Sequence, residues 1–580
     1  MALRRHLTAV VLVFHLCLAS AEIRYTVQPM PVANKLKVSM TFETKPGTLE
    51  LHMPNWSPGY YVFIESGKNV ADFKATDSTG KAVTLAHPAA HSWTGTVAAT
   101  TLTVEYTVPV QLVAGAMHYS GPTTYMYIVG RKEEPCRLTL DTPKDWKIAV
   151  GLDAVGDNYR LYRAPDYDTL ADNPVTMGDF IELSYTSHGK PHTIALRGAP
   201  RANVDQQKIV RVCQAISDGQ GDFFGGLPFT KYVWHFNVTP GSDGGGGLEH
   251  LSSTQISLAQ GVGPRSISVC AHEYFHLWNV KRIRSRVLGP FDYTKLPETG
   301  ALYWLEGVTD YYASLLSMRY GPLGEADFLQ DIVENAQAVR NNPARLKVSP
   351  YDSSLRVDEA NNSSGYEISY YNLGWLVGLV LDIELRSRSN GARSLDDVMH
   401  VLWEMCKDGK PGFEEGAIRS LMPQVGGPGM AEYFDKVVMQ PGELPIDEQL
   451  AKIGLKLEGV ERSYTDLGFD IGPITGGVRV TRTRPVINQT VQQNDQILAI
   501  NGAEVKGATA QELMASANSA LAALKPAVEA KLTVRRAGQV LDVAFTPRTA
   551  VVTDWRVVDV ANGDTKKLAL RKGLYYAGKK

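Results

Sequence analysis

Hydrophobic and polar positions change rhythm twice along the chain. From about residue 22 to 195 they alternate one for one in short runs, as in Leu36-Lys37-Val38-Ser39-Met40-Thr41-Phe42 and Leu102-Thr103-Val104-Glu105-Tyr106-Thr107-Val108, with Gly, Pro, Asn and Asp between the runs. A period of two puts every second side chain on one face of a strand, so this region predicts an all-β sandwich. From residue 204 the texture shifts. Residues 206–217 carry apolar positions at helical spacing, and a strand-like Tyr232-Val233-Trp234-His235-Phe236-Asn237-Val238 follows. Helical periods dominate from 266 to about 434, with breaks around Pro290 and Pro343. Pro441 and Pro445 mark a linker, after which strands return over about 450–550 with one helical stretch at 509–524. Residues 551–580 are weakly patterned, and their Lys-rich end is expected to be frayed. No repeat at solenoid periods is present.

The pattern predicts a multidomain α+β protein: an N-terminal β domain at 22–198, a mostly helical domain at 199–442, a third module at 450–550 and a C-terminal tail at 551–580. The first 21 residues stand apart. Arg4 and Arg5, an apolar run at 7–18 and Ala19-Ser20-Ala21 make the pattern of a secretory signal peptide. The run is short for a membrane span. The mature protein is therefore expected to be exported, periplasmic or secreted, without stable membrane insertion. Cys17 follows the bulky Leu16, which speaks against a lipoprotein site. The other cysteines, Cys136, Cys213, Cys270 and Cys406, form no CxxC pair, so buried thiols are expected rather than a cysteine metal site. The formal net charge of -2 provides no basic field of the kind that draws nucleic acid.

The sharpest chemical signal is His272-Glu273-Tyr274-Phe275-His276. Residues four apart share a helix face, so His272 and His276 can present two imidazoles to one metal ion. Glu273 beside them can act as general base, the mechanical content of an H-E-x-x-H helix. Neutral imidazole suits zinc, and a catalytic zinc takes three protein ligands. Glu306, in Trp304-Leu305-Glu306-Gly307, is the best third ligand, on a second predicted helix. Asp310 falls four residues later on the same face and can fix the tautomer of a ligand imidazole. One zinc ion (Zn2+) per chain is expected.

The long motif 272–284 followed by Trp304-Leu305-Glu306-Gly307 resembles the glycyl aminopeptidase family of gluzincin metallopeptidases. Ser285 departs from it, standing where the family motif has proline. The resemblance covers nearly the whole mature chain. It implies an N-terminal β domain, a thermolysin-like catalytic domain and a PDZ domain, with preference for small N-terminal residues such as Gly or Ala. Gly246-Gly247-Leu248-Glu249-His250 resembles the Gly-x-Met-Glu-Asn exopeptidase segment of related aminopeptidases. Glycines let a substrate backbone approach an edge strand, and Glu249 can pair with the free α-ammonium of a peptide. Tyr371 matches the position of a tyrosine that stabilises the oxyanion in related enzymes, although Leu373 replaces the usual lysine; Tyr370 is the alternative register. Leu467-Gly468-Phe469 and the run 493–502 resemble a PDZ domain, which implies capture of a peptide C-terminus or a module that only packs. The basic run Lys281, Arg282, Arg284 and Arg286 reads as a solvated face. The expected function is a zinc aminopeptidase acting on peptides with a free N-terminus. The alternatives are a zinc endopeptidase that recruits substrates through the PDZ domain, and a PDZ-based binding protein with a silent zinc site.

Overall fold

The structure, a computed structural model, describes residues 22–198, 204–238, 245–258, 262–355, 368–484 and 490–576. The signal peptide expected over 1–21 lies outside the described residues. The chain divides into two units, Leu457–Val558 and the remainder.

The alternating runs near the N-terminus form strands. Lys35–Glu43 buries Leu36, Val38, Met40 and Phe42 and turns its polar residues outward. It pairs antiparallel with Thr101–Pro109, setting Val38 opposite Tyr106 and Met40 opposite Val104. These strands sit within a seven-stranded sheet, which is accompanied by two four-stranded sheets, and a shared apolar core that includes Trp93, Tyr119 and Met177 fills the space between. Burial of each such side chain stabilises by about 1.5–3 kcal/mol.

Two strands assigned above to this β domain belong elsewhere. Ile181–Ser187 and Lys190–Arg197 lead a five-stranded sheet completed by Tyr232–Val238, Ser253–Leu258 and Gly247–Glu249. Lys190–Arg197 runs parallel to Tyr232–Val238, with His192 opposite Tyr232. The sheet that the helices cover thus starts near residue 181. Alternation shows that a segment is a strand; it carries no information on which sheet the strand joins.

Helices cover this sheet. Gln206–Phe224 is capped by Asp205, whose carboxylate accepts from Lys208 N at 2.9 Å, and ends at Gly225 in the left-handed region. Tyr370–Arg388 is apolar around most of its circumference and correspondingly buried. Much of the weakly patterned C-terminal segment is regular structure. Thr565–Tyr576 is a helix that buries Leu570, Leu574 and Tyr575. Its carbonyls are held by two buried arginines: Arg319 Nε donates to Leu574 O at 2.9 Å and Arg386 Nη1 to Gly573 O at 3.0 Å. Interleaved lysines dilute the apolar spacing of this segment, which hides the helix from a sequence pattern. Residues 577–580 lie outside the described residues.

Cys136, Cys213, Cys270 and Cys406 are buried and unpaired. Among the described residues no helix is long and apolar enough to cross a membrane. In the second unit, Phe469–Ile474, Gly477–Thr483, Gln496–Ile500, Ala530–Arg536 and Gln539–Phe545 form a sheet, with the helix Ala510–Ala522 packed on it. A reciprocal cap between Thr509 and Glu512 starts that helix.

Candidate metal centre and peptide-binding edge

The helix Pro264–Phe275 opens with proline in its first turn, where a missing N–H costs nothing. It is clamped from both sides. Tyr274 stacks on Trp234 of the sheet with centroids 5.2 Å apart, and Phe275 stacks on Tyr312 at 5.1 Å. That clamp fixes how the flanking histidines point. His272 Nε2 and His276 Nε2 lie 2.8 Å apart. Oε2 of Glu306 is 3.4 Å from the first and 3.3 Å from the second. Donors about 2.0–2.1 Å from a tetrahedral zinc stand roughly 3.3 Å from one another, so both carboxylate distances match such an ion, and the imidazole pair at 2.8 Å is closer than it requires. A second carboxylate stands beside this trio: Glu273 is buried, and its Oε2 has no hydrogen-bond partner among the described residues.

Each imidazole is oriented through its other nitrogen. His272 Nδ1 lies 2.7 Å from Asp310 Oδ1, the role expected of Asp310. His276 Nδ1 lies 2.7 Å from the carbonyl oxygen of Asn279. The His276 contact is a hydrogen bond that leaves its Nε2 lone pair facing the metal position, and the carboxylate beside His272 Nδ1 favours the same tautomer there. The metal-binding motif itself gives no part to Asn279. Its side chain locks the loop after the histidines to the next helix, donating to Trp304 O and Thr309 Oγ1, each at 2.9 Å. The signal was available: a lone amide in the apolar run 274–280 has to satisfy its hydrogen bonds inside.

Glu306 was expected on an ordinary helix. It lies instead in a π-helical stretch, Tyr303–Val308, that leads into the α-helix Thr309–Tyr320. Such wide turns concentrate at functional sites. Gly307 allows the crossing that seats it: a Cβ there would fall 2.5 Å from Gly374 Cα on Tyr370–Arg388. Burial alone would raise the Glu306 carboxyl, but His276 and His272 outweigh it and bring it down to about 2. Burial pushes the Glu273 carboxyl up to about 8, against the pull of the two histidines.

The edge strand Gly247–Glu249 passes directly over Glu273. A Cβ on Gly247 would fall 2.4 Å from Glu273 Cδ, so only glycine fits there. Gly246 before it has φ +87°, a backbone region that favours glycine. On one side the strand pairs with Ser253–Leu258; among the described residues it is the last strand of its sheet, and its other side is an edge. Glu249 ends it, buried, with carboxylate and imidazole atoms of Glu249, Glu273 and His276 all within 4.8 Å of one another. Burial raises the Glu249 carboxyl, with His276 and Lys281 opposing.

Tyr371 lies in the first turn of Tyr370–Arg388, where Ser369 Oγ accepts from its amide at 3.2 Å. Its ring centroid is 6.1 Å from that of His272. Tyr370 stacks on it at 4.8 Å and is the more buried of the two. Burial, with Glu306 next in influence, raises the Tyr371 phenol well above its usual range.

The basic run is not a solvated face. Lys281 is buried and donates to Asp172 Oδ1 at 2.8 Å, and His250 Nδ1 lies 3.0 Å from the same oxygen. Arg282 donates to Leu277 O and Pro228 O, each at 2.7 Å. Arg286 alone fits the expectation, half exposed beside Glu414. Asp172 comes from the N-terminal β domain, a hundred residues away, which is why the enclosure of this loop is invisible locally.

Three family models match the chain: the peptidase M61 N-terminal domain over 24–179, the M61 glycyl aminopeptidase over 265–377 and a PDZ domain over 465–546. The chain belongs to the M61 glycyl aminopeptidase family. As an M61 chain it is a metallopeptidase. Its fold is similar to that of an aminopeptidase N family protein from Idiomarina loihiensis, with TM-score 0.81 and 22% identity over 94% of this chain and 99% of that one. An M1 zinc metallopeptidase from Deinococcus radiodurans aligns at TM-score 0.44 and 14% identity over 74% of this chain and 96% of its own. Yeast LTA4 hydrolase aligns at TM-score 0.47 and 12% identity over 74% and 68%. No curated protein matches the sequence.

Proposed function

We propose that the chain is an exported zinc aminopeptidase that removes the first residue of peptides and favours Gly or Ala. The observation that carries this reading is the position of Glu249: a buried carboxylate at the end of an open edge strand, within 4.8 Å of Glu273 and His276. An extended peptide adds to that edge through main-chain hydrogen bonds, and the two glycines admit its backbone. Its α-ammonium then meets Glu249 in a charge-assisted contact, which brings the first peptide bond beside Glu273. A chain that continued past its first residue would have no ammonium to offer there.

His272, His276 and Glu306 hold one zinc ion per chain. When bound, zinc supplies Lewis acidity, which polarises a carbonyl and makes water a better nucleophile at neutral pH. Glu273 takes a proton from the attacking water and returns it to the leaving amine. Tyr371 donates to the oxyanion from a preorganised position. Asp310 and the Asn279 carbonyl keep both imidazoles in the Nδ1–H tautomer throughout. In the PDZ domain, the Leu467-Gly468-Phe469 turn is the proposed seat for a peptide C-terminus, where the Gly468 amide now donates to Asp466 Oδ1 at 3.0 Å.

A panel of Gly, Ala, Leu and Phe p-nitroanilides, assayed with and without a chelator, tests the reading. Chelator-sensitive cleavage with Gly and Ala ahead supports it. Zinc-loaded enzyme that cleaves none of them contradicts it.

A further inference from the structure

The loop 56–63 of the N-terminal β domain reaches the recognition end of the site. Gly59 lies against the carboxylate of Glu249: a Cβ at 59 would fall 2.4 Å from Oε2 and 2.7 Å from Oε1, and 2.7 Å from Leu248 Cδ1. Two residues on, Tyr61 is 3% exposed. It is stacked on Trp56 with centroids 6.3 Å apart. Trp56 is itself anchored, Nε1 donating to Asp292 O at 2.8 Å. Tyr61 has φ +35°, a left-handed backbone that costs a bulky residue about 1–3 kcal/mol. A tyrosine held in that conformation by its surroundings, beside a carboxylate with a binding role, is placed there for more than packing.

Pro58, Gly59 and Tyr61, with Glu249, Val280 and Phe291, border a cavity of about 10 Å³. That is room for roughly one water molecule. A substrate ammonium on Glu249 fixes where the first side chain goes. Its Cβ lies two bonds from that nitrogen, and so within about 5 Å of the carboxylate oxygens. This is the space that the loop closes. Burial, and the nearby carboxylates of Glu306 and Glu249, keep the Tyr61 phenol in its protonated form at neutral pH.

We propose that Tyr61, carried by the N-terminal β domain, is the wall that limits the first substrate residue to a hydrogen or methyl side chain. The proposal rests on the aminopeptidase reading above and names the residue that sets its specificity. A β domain that contributes no donor to the metal position thereby selects the substrate.

The experiment measures kcat/KM for Gly, Ala, Leu and Phe p-nitroanilides with the zinc-loaded full chain, as wild type, Tyr61→Leu and Tyr61→Ala. Leucine at 61 keeps an apolar side chain on Trp56, so this variant tests the wall even where alanine disturbs the fold. The expected result is a rise of about tenfold or more in the Leu-to-Gly ratio for Tyr61→Ala, with Tyr61→Leu intermediate. A ratio within about twofold of wild type in both variants overturns the wall. Wild type that cleaves Leu and Gly anilides equally overturns it too, while leaving the aminopeptidase reading intact. Wild type that cleaves none of the four overturns the aminopeptidase reading itself.

Discussion

The metal end and the recognition end of this site are assembled in opposite ways. Every donor at the metal end comes from one stretch, 272–310, on two adjoining helical segments clamped by Trp234 and Tyr312. At the recognition end, Glu249 sits on an edge strand, Gly59 and Tyr61 come from the N-terminal β domain, and Lys281 behind them is neutralised by Asp172 of that same domain. The contrast teaches where chemistry and selectivity reside. Hydrolysis needs a fixed cluster that one local motif can encode, whereas the selection among substrates proposed above draws on surfaces that meet only after the chain has folded.

Perturbing each end separately sharpens this contrast. The largest effect belongs to the metal end: Glu273→Gln is expected to lower kcat by about 10²–10⁴-fold with zinc content by metal analysis unchanged. Loss of zinc along with activity would show that Glu273 serves binding rather than proton transfer. At the seam between the two domains, Asp172→Ala strips Lys281 and His250 of their shared buried carboxylate. It should cost about 3–5 kcal/mol in denaturant unfolding, because a charge is left buried without its partner. Burial alone would raise the Asp172 carboxyl, but Lys281 and His250 bring it down to about 2. That lies below the ordinary aspartate value of about 3.9. The carboxylate therefore adds stability above about pH 4, and that contribution is lost as the pH falls toward 2. The gap in stability between wild type and Asp172→Ala should narrow over that window and hold constant above it. A gap that stays flat down to pH 2 would contradict the ion pairing.

Smaller effects are expected further out. Glu249→Gln should lower kcat/KM for free-amine substrates by about 30–100-fold, mainly through KM, as removal of a charge-assisted contact predicts. An equal loss for acetylated substrates would sever Glu249 from the ammonium. Asp310→Asn should weaken zinc binding by about 10–100-fold in a competition titration, since the His272 tautomer loses its guide. Unchanged affinity would reduce Asp310 to a surface contact; its side chain is 34% exposed.

How much of this was legible in sequence follows the same division. The H-E-x-x-H helix could be read from helical periodicity, and Glu306 and Asp310 from their carboxylates four residues apart downstream of it; the structure brings all of them together. The strand-rich start and helical middle were readable from the period of burial. What stayed hidden required partners far away in the chain. Strands 181–197 were visible as strands, yet their parallel pairing with Tyr232–Val238 was not. Lys281 and Arg282 look like solvent-facing charges until Asp172 and Pro228 close over them. The lysines among Leu568, Leu570 and Leu574 masked a helix whose carbonyls cap two buried arginines. Tyr61 gave no signal, because its strained backbone and its seat beside Glu249 arise from tertiary packing.

The central claim is that the metal centre and Glu249 act on one peptide bond, the first. The most direct measurement compares cleavage of an Ala-headed peptide with that of its N-acetylated twin by the zinc-loaded wild-type chain. The account predicts hydrolysis of the first bond in the free peptide and a loss of about 100-fold or more on acetylation, since the buried Glu249 carboxylate is then left unpaired. Equal cleavage of the two, or cuts at internal bonds of both, would contradict it.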